Sequence, residues 1–212
     1  DEQRVTDALL HAFAALPRGV VEPLPEMRLY DAPAQPRIIT ETMDVTQGKL
    51  AMGFRCGSQD VPAMIMANLL FGGSSNSKLF LNVREKLSLC YYASSQYARS
   101  KGILTVSSGI ETRDYDRALE EILRQIKAVQ EGDWEDWEIP GARSTILTSL
   151  AAMPDGQGAM ENWFLGQNAT GQTETPEELA RQLAEVTPER IRAAAQSIRL
   201  DTVYFLKGKE AE

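Results

Sequence analysis

Residues 78–95 read KLFLNVREKLSLCYYASS. Leu79, Phe80, Val83 and Leu87 recur at helical spacing, so the first half predicts a helix from Lys78 to Leu87 with one apolar side. From Leu89 to Ala98 the pattern changes to LCYYASSQYA, a strand of aromatic and small residues. A helix that packs back on the strand after it carries its last turn and the start of that strand to one edge. Arg84 and Tyr91 occupy those two places. A guanidinium and a phenol side by side suit a peptide carbonyl or a developing oxyanion. On spacing alone, an Arg capping its own helix and a Tyr in the core satisfy the pattern equally well.

On the N-terminal side of this stretch, Gly72-Gly73-Ser74-Ser75-Asn76-Ser77 is a turn. It departs from a phosphate loop: Ser77 replaces the second Gly, Leu79 replaces the Ser/Thr, and a helix rather than a strand precedes it. The helix before it, Val61 to Phe71, is apolar nearly all round and should be buried, with Asp60 as its cap and Pro62 in its first turn. Arg37 to Val45 and Gly48 to Arg55 alternate as strands about the turn Thr46-Gln47-Gly48, which predicts a hairpin or neighbouring strands. An N-terminal helix carries Val5, Ala8, Leu9, Ala12 and Leu16 on one stripe. Pro17, Pro23, Pro25, Pro33 and Pro36 then mark an extended connector.

On the C-terminal side, Arg99-Ser100-Lys101-Gly102 predicts a hairpin loop into a second strand, Ile103 to Ile110. Amphipathic helices follow from Tyr115 to Gln130, from about Trp134 to Ala152 with Pro140 in the first turns, and from Asp155 to Gly166. Thr175-Pro176-Glu177-Glu178 is a capping box, Thr187-Pro188-Glu189 starts another helix, and Thr202 to Lys207 closes the chain as a strand. Strands in consecutive pairs among grouped helices predict an α+β fold of two layers: a mostly antiparallel sheet with helices packed on one face. Residues 1–36 are then a helix and proline-rich linker, and residues 37–212 the domain.

Composition excludes several functions. The 22 Lys and Arg against 30 Asp and Glu leave a net charge of −8. An acidic chain without a basic run is a poor candidate for neutralising a phosphate backbone, so no nucleic acid is expected as a partner. No apolar run approaches the ~20 residues that span a bilayer, so no membrane is expected either. The chain opens on Asp1 without a signal-peptide pattern, which fits a piece of a longer cytoplasmic protein. Cys56 and Cys90 form no metal or redox spacing and read as small thiols in a reducing compartment. His11 is the single histidine, which leaves neither a zinc ligand set nor a Ser or Cys nucleophile with a His base. Acidic pairs such as Glu120-Glu121 read as solvated helix faces.

The stretch resembles the C-terminal-half signature of the pitrilysin, insulysin and mitochondrial-processing-peptidase superfamily. The matching residues are Gly72-Gly73-Ser74-Ser75, Lys78-Leu79-Phe80, Arg84-Glu85-Lys86 and Leu89-Cys90-Tyr91. The likeness runs from about Arg37 to Lys207. It implies one of two homologous halves closing a chamber, in which the other half holds zinc through an H-x-x-E-H helix. This chain lacks that motif, so no cofactor is expected on it and zinc is expected on a partner half. The resemblance implies that Arg84 and Tyr91 bind the substrate peptide near that zinc. Tyr91 would hydrogen-bond the tetrahedral intermediate, and Arg84 would grip the peptide or order the Tyr. Ser88 stands where many members have Gly. The wording around Leu89–Ser95 is most similar to bacterial subunits without zinc ligands, which implies an inactive-type peptidase-half domain partnered by an active homologue. Two alternatives stay open: the C-terminal half of a one-chain zinc endopeptidase whose motif lies upstream, and a structural assembly module. An exposed half-chamber face also leaves pairing of two copies open.

Overall fold

The computed structural model describes residues 1–20, 31–169 and 171–208. Most of the proline-rich connector, residues 21–30, lies outside the described residues. Before it, α1 (Glu2–Ala14) forms with Asp1 as its cap, but none of its residues is buried. Its apolar stripe, Val5 and Leu9 included, is exposed, as is Leu16 just past the helix end, and so is His11.

The domain is built on β1 (Arg37–Met43), β2 (Gly48–Cys56), β3 (Cys90–Ala98), β4 (Ile103–Ile110) and β5 (Ile198–Gly208). The sheet order is β1-β5-β2-β4-β3. All neighbours are antiparallel except β1 and β5, which run parallel from Arg37 opposite Thr202 to Met43 opposite Gly208. The expected β1–β2 adjacency is therefore corrected: β5 lies between them. The physical reason is burial. β5 sends Val203 and Phe205 into the core, so it takes an inner position, while every residue of β1 is exposed and β1 is left at the edge. Asp201 fastens the arrangement. It accepts from the Thr202 hydroxyl, from Arg55 on β2 and from Arg37 on β1, and these donors, Thr202 foremost, pull its carboxyl down to about 2.

The inward residues of β2, Leu50, Met52, Phe54 and Cys56, alternate with Lys49, Ala51, Gly53 and Arg55 on the other face. Helices cover the inward face. The first is α2 (Val61–Asn68), capped by Asp60, whose carboxylate also takes Arg190 in a two-bond fork. A π-helical turn, Leu69–Gly73, continues it, and a π-helical segment, Leu79–Lys86, leads into β3. Then come α3 (Tyr115–Glu131), α4 (Glu138–Ala152), α5 (Gln157–Ala169), α6 (Pro176–Ala184) and α7 (Pro188–Ala195). Pro140 falls in the first turn of α4, and the Thr175–Glu178 capping box closes in both directions. One acidic pair departs from expectation: Glu121 is buried, not solvated, because Arg124 and Gln125 bond its carboxylate. The α+β class, with helices on one face of the sheet, is as the sequence predicts. Among the described residues no helix is long and apolar enough to cross a membrane.

Candidate functional site

The Leu79–Lys86 helix starts at Ser77, whose hydroxyl accepts from the Phe80 N–H, and ends in a left-handed closure. Ser88 takes φ +49°, its N–H reaching Arg84 O at 3.1 Å and the Leu89 N–H reaching Val83 O at 3.0 Å. That conformation favours glycine and strains a residue with a Cβ. Ser88→Gly is therefore expected to raise stability by about 1 kcal/mol in urea unfolding. A loss of stability in that experiment would show that the Ser hydroxyl matters more than the strain.

The closure turns the chain directly into β3 and leaves a bulge at its start. Cys90 pairs with Ile110 and Tyr92 with Gly109, so Tyr91 has no partner across the strand. A bulge bends the strand and re-aims one side chain. Two groups fix this one. Arg84 Nε donates to the Tyr91 carbonyl at 3.0 Å, supplying the bond that the ladder lacks there. The Tyr91 hydroxyl donates to Glu111 Oε1 at 2.5 Å. That bond, and the charge behind it, raise the Tyr91 phenol above its usual range. Arg84 also contacts Glu85 at 3.1 Å and lies 4.7 Å from the centre of the Phe80 ring.

The structure thus brings Arg84 and Tyr91 together at one rim. Neither is sealed inside: the Arg84 side chain is 40% exposed and Tyr91 59%. Both line a cleft of about 460 Å³ walled by Gly72, Gly73, Ser74 and Ser75 and by β3 from Tyr91 to Ser95. The buried helix-capping Arg and core Tyr, left open by the spacing, do not describe these exposures. Glu111 is the residue that the sequence reading missed. A signal was present: the hairpin loop at residues 99–102 pairs Ala98 with Ile103, and counting back sets Tyr91 beside the end of β4.

The rim presents both hydrogen-bond donors and acceptors. The Tyr91 O–H donates its hydrogen bond to Glu111, so the hydroxyl oxygen offers lone pairs to an incoming N–H. The guanidinium offers N–H groups to a carbonyl. Among the described residues no group of three or more His, Cys, Asp or Glu could hold a metal ion, so the residues present do not fit zinc.

The sequence profile of the family described as "Peptidase M16 inactive domain" matches residues 1–146. Over 185 residues the chain is 41% identical to "Probable inactive metalloprotease YmfF" of Bacillus subtilis (strain 168), covering 85% of this chain and 43% of that protein. It is similar in fold to a conserved protein from Enterococcus faecalis V583, with TM-score 0.78 and 28% identity over 86% of this chain and 44% of the other. A crystal structure of a peptidase M16 inactive domain from Pseudomonas fluorescens shares the fold, with TM-score 0.73 and 19% identity over 100% of this chain and 52% of that one. The chain spans less than half the length of the curated relatives that it matches.

Proposed function

This chain belongs to the family of peptidase M16 inactive domains, and from that premise we propose that it holds an extended peptide at the Arg84–Tyr91 rim for a homologous zinc-bearing half. It is the inactive, C-terminal type of domain of a zinc-protease-like protein. The observation that carries the reading is the bulge: a backbone kink spent on turning one exposed Tyr to the mouth of a cleft, anchored from both ends by Arg84 and Glu111.

In this reading Arg84 N–H groups take peptide carbonyls and the Tyr91 oxygen takes a peptide N–H. Glu111 keeps the phenol protonated and aimed. The hydroxyl has one O–H, already engaged in its hydrogen bond to Glu111, which favours a grip on the peptide over donation to an oxyanion. The partner's zinc would supply the Lewis acid for hydrolysis, and no reacting group comes from this chain. Cys56 and Cys90, both unpaired thiols, support a cytoplasmic location.

The experiment is equilibrium binding of a fluorescein-labelled, unstructured peptide of about ten residues, followed by anisotropy. Arg84→Ala is expected to weaken binding by about tenfold or more, since a charge-assisted contact and the bulge anchor are both lost. Tyr91→Phe is expected to weaken it by roughly two- to tenfold. With a zinc-bearing homologue present, Tyr91→Phe should slow peptide turnover as well. Unaltered binding and unaltered turnover in both variants would refute the clamp and leave the assembly-module reading.

A further inference from the structure

We propose that a second cavity, next along β3 from the Arg84–Tyr91 cleft, is a subsite for one uncharged apolar side chain of the bound peptide; the proposal rests on the peptide reading above. The cavity has a volume of about 430 Å³, within the ~300–1,000 Å³ usual for small-ligand sites. Gly73 and Ser95 wall both cavities. The first follows β3 from Tyr91 to Ser95, and the second continues past Gln96 and Tyr97 to Arg99. β3 is one of the two edge strands of the sheet and pairs only with β4 among the described residues. At about 3.3 Å per residue, Tyr91 to Tyr97 is roughly 20 Å, the reach of an extended segment of six or seven residues. One peptide lying along this edge meets the polar rim at one end and the second cavity at the other.

The lining selects what enters. Ile65, Leu69, Ile146, Leu150, Met153 and Trp163 supply the wall. Ile65, Ile146, Met153 and Trp163 are only partly buried, so their apolar surface is packed on one side alone. Trp163 is held rigid: its Nε1 donates to Glu174 O at 2.8 Å, and the Arg99 guanidinium lies 5.0 Å from its ring centre. Among the described residues Arg99 is the one charge in the lining, and Glu174 neutralises it at 2.8 Å. The polar groups at the junction satisfy each other, with the Ser95 hydroxyl donating to Asn68 Oδ1 at 2.7 Å. A charged occupant would find no unpaired counter-charge here, and although Gln96, Tyr97 and Ser149 also line the cavity, most of its wall is apolar, so an aromatic or aliphatic side chain gains the most by entering.

The test walks a single Phe through each position of an otherwise Ala/Ser peptide of about seven residues, and measures binding to the full chain by anisotropy. Phe at one or two adjacent positions should bind about tenfold or more tighter than Ala there. Ile146→Trp, which fills the cavity from α4, should bring that Phe-to-Ala ratio towards one. Ser149→Lys, on the exposed rim, should lower the ratio without touching the core and covers the case in which the first variant folds poorly. Free indole is the second probe, read by NMR at the Trp163 indole and the Met153 methyl. Peptide binding without a preferred Phe position, together with no indole response, overturns the subsite and leaves the clamp standing. Indole entry with no peptide bound in any arm overturns the peptide occupant and the proposed function with it.

Discussion

Lys78→Met is expected to destabilise the domain by about 3–5 kcal/mol in urea unfolding. Lys78 Nζ meets Glu138 Oε2 at 3.0 Å, with the two side chains 10% and 5% exposed. Glu138 opens α4, where its charge suits the helix dipole, and the same oxygen takes the Glu135 N–H at 2.7 Å. Lys78 stands at the start of the Leu79–Lys86 helix, where the dipole disfavours a cation. It is held there by its partner, not by its helix. Removing the lysine strands a buried carboxylate with a single N–H, and the thermal midpoint should fall by roughly 10 °C. Lys78→Met with Glu138→Leu removes both charges and should recover most of the loss. If the single variant stays within about 1 kcal/mol of the parent, or the double variant is the worse of the two, the ion pair does not act as described. The effect should reach the cleft, because Lys78 ends the Gly-Ser turn that walls it.

The strand and helix order could be read from periodicity because each element announces itself locally. The Leu50–Met52–Phe54 alternation, the apolar helix after Asp60 and the Thr-Pro-Glu caps each need only a few neighbours. The order of strands in the sheet could not. Nothing in Arg37–Met43 says that its partner is residues 202–208, at the far end of the chain. The length of β5 was also hidden, because Asp201 breaks an apolar pattern and is tolerated only through Arg55 and Arg37. At the candidate site, Arg84 and Tyr91 were legible because a helix and the strand that follows it keep a fixed short path. Glu111 was legible only by counting the β3–β4 register back from the hairpin loop, and the bulge at Tyr91 shifts that register near its end. The second cavity was invisible for the same kind of reason: its walls come from α2, β3, α4 and α5, which the sequence does not place together.

Gly72→Ala is expected to disturb both the fold and the cleft, although the sequence marks Gly72-Gly73 only as a turn. A Cβ at Gly72 would stand 2.6 Å from Leu79 Cδ1, 2.7 Å from Ser95 Oγ and 2.8 Å from Ser95 N. Leu79 is wholly buried, and Ser95 N is strand backbone. Neither can swing aside, so the helix layer and β3 must separate. Such overpacking costs about 1–3 kcal/mol for one methyl, and Gly72→Val should cost more. Gly73 provides the control. A Cβ there would meet Asn68 Nδ2 at 2.5 Å, the end of a side chain that can rotate at the loss of its bond from the Ser95 hydroxyl, and Asn68 backbone O and C at 3.1 and 3.3 Å, which need give by only a few tenths of an ångström. Gly73→Ala should therefore cost about 1 kcal/mol, the worth of that hydrogen bond. Circular dichroism melts should rank the parent above Gly73→Ala and Gly73→Ala above Gly72→Ala. Because Ser95 walls both cavities, peptide affinity in Gly72→Ala should fall even at temperatures where the variant is fully folded. If the two alanine variants melt together, or Gly72→Ala binds peptide as the parent does, the close contact of the Leu69–Gly73 turn with β3 does not shape this edge.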